Sequence, residues 1–151
     1  MRVPSAVAFI DLHGHSKKDG YFMYGNRVSR DETYWKAKFL PIMFSKLSDN
    51  FSLINSRYLS NTGPTARAVC NHLGLRHSFT LEASFGGSIV KGEHVEFKAS
   101  THRKTGKILG ETLYYLHSHV IKPNQSNTLP DNLTFEALIF ITNQIKDKHE
   151  K

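Results

Sequence analysis

Val7-Ala8-Phe9-Ile10-Asp11-Leu12-His13-Gly14-His15-Ser16 is the stretch on which the reading of this chain turns. Its first half is apolar with little alternation, the pattern of a strand covered on both faces in an α/β sheet. It then runs into two histidines separated by one glycine. Ligands in open α/β sheets gather beyond such strand ends, and imidazole is the commonest metal ligand among side chains. The stretch therefore predicts an α/β fold with a polar site at the end of its first strand. It leaves two roles open for the imidazoles: metal ligation, or capping and local hydrogen bonding.

Outward from this strand, Tyr21-Phe22-Met23-Tyr24 reads as a short strand ending in a turn at Gly25-Asn26. The segment from Asp31 to Ser48 has a cap at Ser29 or Asp31, and Pro41 divides it into two short helices. Thr62-Gly63-Pro64 opens the clearest helix, with Ala66, Val69, Cys70 and Leu73 as its apolar stripe, Arg67 at the margin and Gly74 as the stop. Ser78 to Ala83 reads as a strand that carries Glu82 near its end and meets the glycine pair Gly86-Gly87. Arg103 to His117 forms an amphipathic helix with Ile108, Leu109, Thr112, Leu113 and Leu116 on one face. A polar linker at Lys122 to Asn127 precedes a last apolar helix over Phe135 to Ile145. No internal repeat appears.

Length and composition set limits on what the chain does. The 151 residues suffice for one core, and 39% hydrophobic with 22% charged residues is ordinary for a globular protein. Cys70 is the only cysteine, which excludes an intrachain disulfide and every multi-cysteine zinc motif. Any metal here must be held by histidine and carboxylate. The apolar run before Asp11 is too short for a signal peptide, and no apolar stretch approaches the roughly 20 residues that span a bilayer, so a cytoplasmic location with no membrane partner is expected. A net charge of +7 predicts attraction to polyanions of any kind. Aromatics Tyr21, Phe22, Tyr24, Tyr34 and Trp35 lie among basic residues in the first third, as in single-strand nucleic-acid grooves. No nucleic-acid-binding signature accompanies them, and no nucleic-acid partner is expected.

The chemistry-bearing residues are few. A catalytic zinc usually takes three protein ligands and one water, and neither H-E-x-x-H, H-x-x-E nor C-x-x-C occurs in the sequence. The strand-end histidine pair of amidohydrolase-type barrels is a further reading, but the chain is too short for that barrel. Glu82 stands in an apolar strand, where burial would tune a carboxylate as a general base. Alternatively it faces water or pairs with Arg67 or Arg76.

Three blocks resemble one family. Phe9-Ile10-Asp11-Leu12-His13-Gly14-His15-Ser16-Lys17-Lys18 with Phe22-Met23-Tyr24-Gly25, then Thr65-Ala66-Arg67-Ala68-Val69 with Leu73-Gly74-Leu75, then His77 to Gly87, look like the cytosolic carboxypeptidases that shorten polyglutamate tails. The resemblance covers roughly residues 3–118. It implies an α/β fold that is the C-terminal part of a mixed-sheet zinc carboxypeptidase domain, with helices packed on the sheet. It also implies one Zn2+ ion with His13 as the third zinc ligand, Glu82 as the general base, and Arg67 lining the pocket for a terminal acidic side chain. The implied substrates are acidic protein C-termini such as tubulin tails.

In that family an H-x-x-E ligand pair and an Asn-Arg pair precede the strand of His13, whereas this chain starts just before that strand. The expectation is thus a partial catalytic domain over 1–120, followed by a linker and helix over 121–151, inactive by itself. The alternative is a noncatalytic remnant that binds acidic tails. The family's lysine-rich stretch before Arg67 is replaced here by Leu59-Ser60-Asn61-Thr62-Gly63-Pro64, and its phenolic tyrosine has no assigned position, Tyr58 aligning poorly.

Overall fold

Alternation along one strand organises the sheet. In the computed structural model, which describes residues 6–28, 34–59 and 64–121, β4 (Ser78–Ser84) is central. It pairs in parallel with β1 (Phe9–His15) and antiparallel with β2 (Tyr21–Asn26), and β2 pairs in parallel with the short β3 (Arg57–Leu59). The sheet order is β1-β4-β2-β3, mixed as expected for an α/β domain of this kind. Because successive strand residues point to opposite faces, Phe79 and Leu81 join Tyr21 and Met23 on one face. That face buries against α1 (Tyr34–Leu47) and α3 (Ala99–Tyr115), through Phe39, Met43 and Ile108 among others. The opposite face of β4 carries Ser78, Thr80, Glu82 and Ser84, all buried although polar.

Four expectations are corrected. The first strand is not covered on both faces: β1 is an edge strand among the described residues, and Leu12 is 69% exposed. Gly25 and Asn26 continue β2 rather than turning, since both pair with β3. Pro41 does not divide the helix, because α1 runs through it without interruption. A proline inside a helix costs about 3 kcal/mol. Here the flanking Phe39, Leu40, Ile42, Met43 and Phe44 are all at most 1% exposed, and burial at about 1.5–3 kcal/mol per side chain outweighs that cost.

The fourth correction concerns α2 (Ala66–His72), which is capped by Thr65, whose hydroxyl accepts from the Ala68 amide at 3.2 Å. Its buried side is not the apolar stripe. Val69 and Leu73 are 50% and 42% exposed, whereas Arg67 and Ala68 are buried. The guanidinium finds acceptors at the end of β2, in the Gly25 carbonyl at 2.9 Å and the Asn26 Oδ1, and these bonds set which side of the short helix faces inward.

Three parts of the fold have no counterpart in the sequence reading, β3 being the shortest. β5 (Gly87–Val90) and β6 (Glu93–Glu96) form an antiparallel hairpin around Lys91-Gly92, both at positive φ. Gly87, at φ +142, allows the hairpin to close, since a Cβ there would collide with the Val95 carbonyl. After α3 the chain continues as a π-helical turn, Leu116–Ile121, which returns Leu116 to the core. The expected linker and last helix lie outside the described residues.

Candidate acid-base site on the sheet

The parallel register of β1 and β4 sets His13 beside Glu82 and Gly14 beside Ala83. Both side chains point to the polar face, so a contact between positions 69 apart in sequence is fixed by backbone pairing alone. The His13 Nδ1 lies 3.0 Å from the Glu82 Oε2. The two partners differ sharply in solvation, since the imidazole is 63% exposed and the carboxylate side chain 6%. Hydrogen bonding to Glu82, and then the charge of that carboxylate, raise the His13 pKa above its ordinary value.

His15, two residues along the same face, also turns its Nδ1 toward Glu82, at 3.8 Å. Its ring stands edge-on to Phe22, with centroids 4.9 Å apart, and Phe22 is the residue opposite Glu82 on β2. Lys18 covers this aromatic wall from the loop after β1: its ammonium lies 4.9 Å from the Phe22 ring and 5.3 Å from that of Tyr24. It also donates to the Asn55 carbonyl at 3.1 Å. The carboxylate thus sits in a pocket of imidazole and aromatic edges with a cation at its rim. It is paired by histidine, where the sequence had offered an arginine as one alternative.

Arg67 is not part of this group. Asn26, which binds it, also donates from Nδ2 to the Ser78 carbonyl at 3.0 Å, at the opposite end of β4 from Glu82. Four strand residues at about 3.3 Å each separate the two levels, about 13 Å. Burial lowers the Arg67 pKa from its very high ordinary value, and the guanidinium remains a cation at neutral pH.

On the other face of the sheet, Tyr21, Leu12, Leu81 and Leu109 line a cleft of about 190 Å³ that reaches His13. At its wall the Tyr21 hydroxyl and the His102 Nδ1 are hydrogen-bonded at 2.6 Å, and Phe97 stacks on Tyr21 at 4.4 Å. Burial raises the Tyr21 pKa. Sequence reasoning missed this trio, because a contact between positions 81 apart carries no local signal. It also left Lys18 without a role and His15 without a named partner, although the spacing H-x-H already puts both imidazoles on one face of a strand.

A metal needs more than this site offers. Among the described residues no three histidine, cysteine or carboxylate side chains converge to hold an ion. His13 and Glu82 fit a zinc site only as a fraction of one.

Comparison with known proteins decides the relationship. The chain is 37% identical over 95 residues to cytosolic carboxypeptidase 2 of Danio rerio, covering 58% of this chain and 13% of that protein. It is 38% identical over 104 residues to cytosolic carboxypeptidase 3 of Mus musculus, covering 62% of this chain and 10% of that one. Its curated relatives are cytosolic carboxypeptidases. The chain spans about a tenth of their length. No protein-family model matches it. The fold agrees with that of a metallo-carboxypeptidase from Burkholderia cenocepacia, with a TM-score of 0.59 at 18% identity over 75% of this chain and 31% of that one. A second structure, from Burkholderia mallei, gives a TM-score of 0.51 at 18% identity over 76% of this chain and 32% of that one. The metallocarboxypeptidase fold expected from the three sequence blocks is therefore the one observed, and no helix of the described residues is long and apolar enough to cross a membrane.

Proposed function

We propose that this chain forms the general-base half of a cytosolic-carboxypeptidase-like site that removes acidic residues from protein C-termini, tubulin tails being the partner class implied. The observation that carries this reading is the His13–Glu82 pair, a solvated imidazole and a buried carboxylate joined at 3.0 Å by the β1–β4 register. Glu82 accepts at Oε2 the proton of the water that attacks the last peptide bond, and the enclosed position keeps bulk water from competing for that oxygen. His13, open to solvent, serves as one ligand of a single zinc ion whose other ligands come from outside the described residues. When bound, such an ion supplies an electrophile and an acidified water.

Arg67 addresses the substrate's last side chain. Its guanidinium, held at the end of β2 away from Glu82, would take a carboxylate beyond the scissile bond in exchange for the Gly25 carbonyl and the Asn26 Oδ1. Bidentate pairing with carboxylate is the interaction for which arginine is best shaped. The net charge of +7 draws acidic tails toward the surface. The names of the relatives support a cytoplasmic setting. A second reading, noncatalytic binding of acidic tails, is favoured by the same charge and needs no metal.

A chimera tests the catalytic reading: residues 6–121 replace the aligned segment of the mouse cytosolic carboxypeptidase 3, and zinc content and glutamate release from an acidic C-terminal peptide are measured. The expected result is one zinc per chain and turnover. Glu82→Gln should then lower kcat by about 100- to 10,000-fold with the zinc retained. A folded, zinc-loaded chimera without turnover overturns this reading. Salt-sensitive binding of the peptide by the intact chain would then support the noncatalytic one.

A further inference from the structure

Glu82 has two imidazoles at one oxygen, and the established contacts give them unequal freedom. His13 holds the Oε2 at 3.0 Å from an open position, with 63% of its side chain exposed. His15 stands at 3.8 Å with 19% exposed. Phe22 fixes the His15 ring edge-on at 4.9 Å and 89°, and Tyr24 flanks it at 6.4 Å. The Nε2 of His15 is buried without a hydrogen-bond partner among the described residues. A donor N–H buried without an acceptor is costly, and more so than an unused lone pair on a ring nitrogen. The proton of His15 therefore belongs on Nδ1, which faces the carboxylate.

The two rings cannot play the same part. His13 reaches solvent and is available to another ligand; once its nitrogen is taken, Glu82 loses its nearest partner. His15 is walled in and reaches only Glu82. The gap of 3.8 Å exceeds a hydrogen bond by less than 1 Å, a distance that a small rotation of the glutamate side chain closes. We propose that His15 is a positioning residue for Glu82, donating from Nδ1–H to the Oε2 and aiming the carboxylate when His13 is engaged elsewhere. The catalytic consequence rests on the proposed roles of His13 and Glu82, whereas the pairing itself does not. On the face they share, the second histidine of the H-x-H stretch is largely covered, at 19% exposed, while the first stays open at 63%.

Two arms separate the pairing from the reaction. In the first, proton–nitrogen NMR of the intact 151-residue chain with labelled histidine locates the His15 proton. It should reside on Nδ1, move to a more strongly hydrogen-bonded position in His13→Ala, and lose that character in Glu82→Gln. His15 resonances indifferent to both substitutions, or a proton on Nε2, overturn the proposal whatever the chimera does. In the second arm the chimera carries His15→Phe, which keeps the ring shape without a donor, or His15→Asn, whose amide nitrogen replaces Nδ1. The phenylalanine variant should lose about 10- to 100-fold in kcat with little change in KM, and the asparagine variant should recover most of it. Equal loss in both variants, tracking a lowered Tm, would mean that the ring only packs. An inactive parent chimera counts against the proposed function and leaves the NMR arm to decide the pairing.

Discussion

The two faces of β4 are built from the same seven residues and do different work. One face, with Phe79 and Leu81, is closed by α1 and α3 into a continuous apolar core. The other, with Ser78, Thr80, Glu82 and Ser84, is as thoroughly buried but polar. Each of its groups has to find a partner: the Ser78 hydroxyl donates to the Leu75 carbonyl at 2.5 Å, and Glu82 meets His13. Apolar packing is therefore concentrated on the first face and side-chain hydrogen bonding on the second. Substitutions on the two faces should differ in kind as well as in size.

The largest stability effect is expected on the apolar face. Phe79 is 2% exposed, and Phe79→Ala should destabilise the chain by about 3–5 kcal/mol, read from the urea midpoint. Glu82→Gln, three residues further along the same strand and on its other face, should change the same midpoint far less; equal losses would erase the distinction between the faces.

Arg67→Ala comes next, at about 1–3 kcal/mol, because the Asn26 side chain and the Gly25 carbonyl lose a buried donor. Arg67→Lys should recover only part of this, since an ammonium cannot reproduce the planar fork. Full recovery by lysine would reduce the site to a point charge.

The smallest effect is a titration. Because the folded pKa of His13 lies above its unfolded value near 6.5, the His13–Glu82 pair stabilises the fold fully below about pH 6.5 and loses that contribution as pH rises through the raised value. NMR titration of the imidazole should show its pKa falling toward 6.5 in Glu82→Gln. An unchanged value would mean that the two groups do not interact in solution.

Much of this arrangement can be read from the chain, and the failures share a cause. The strands of His13 and Glu82 are legible from their apolar runs, and their common face follows once the strands are paired in register. The side of α2 that turns inward is not legible, because Arg67 is drawn in by a carbonyl and an amide 42 and 41 positions away. Pro41 misleads for the same reason: the local rule counts one lost hydrogen bond, and the packing of five neighbouring side chains outweighs it. The β5–β6 hairpin escaped notice because its strands are only four residues each and turn through Lys91-Gly92, a pair without the usual asparagine or aspartate. His15 had a readable signal in its spacing from His13, but its partner became visible only with the register.

The parallel pairing of β1 with β4 also bears on the order in which the molecule can be built during synthesis. The half-site is divided between positions 69 apart, and ribosomes add about 5–20 residues per second. The strand bearing the histidines must wait several seconds, with its backbone unpaired, before the strand bearing the glutamate exists. The His13–Glu82 pair thus cannot form before residue 82 has been added, and the interval before it forms is when β1 is most open to capture by a chaperone or by another unpaired strand.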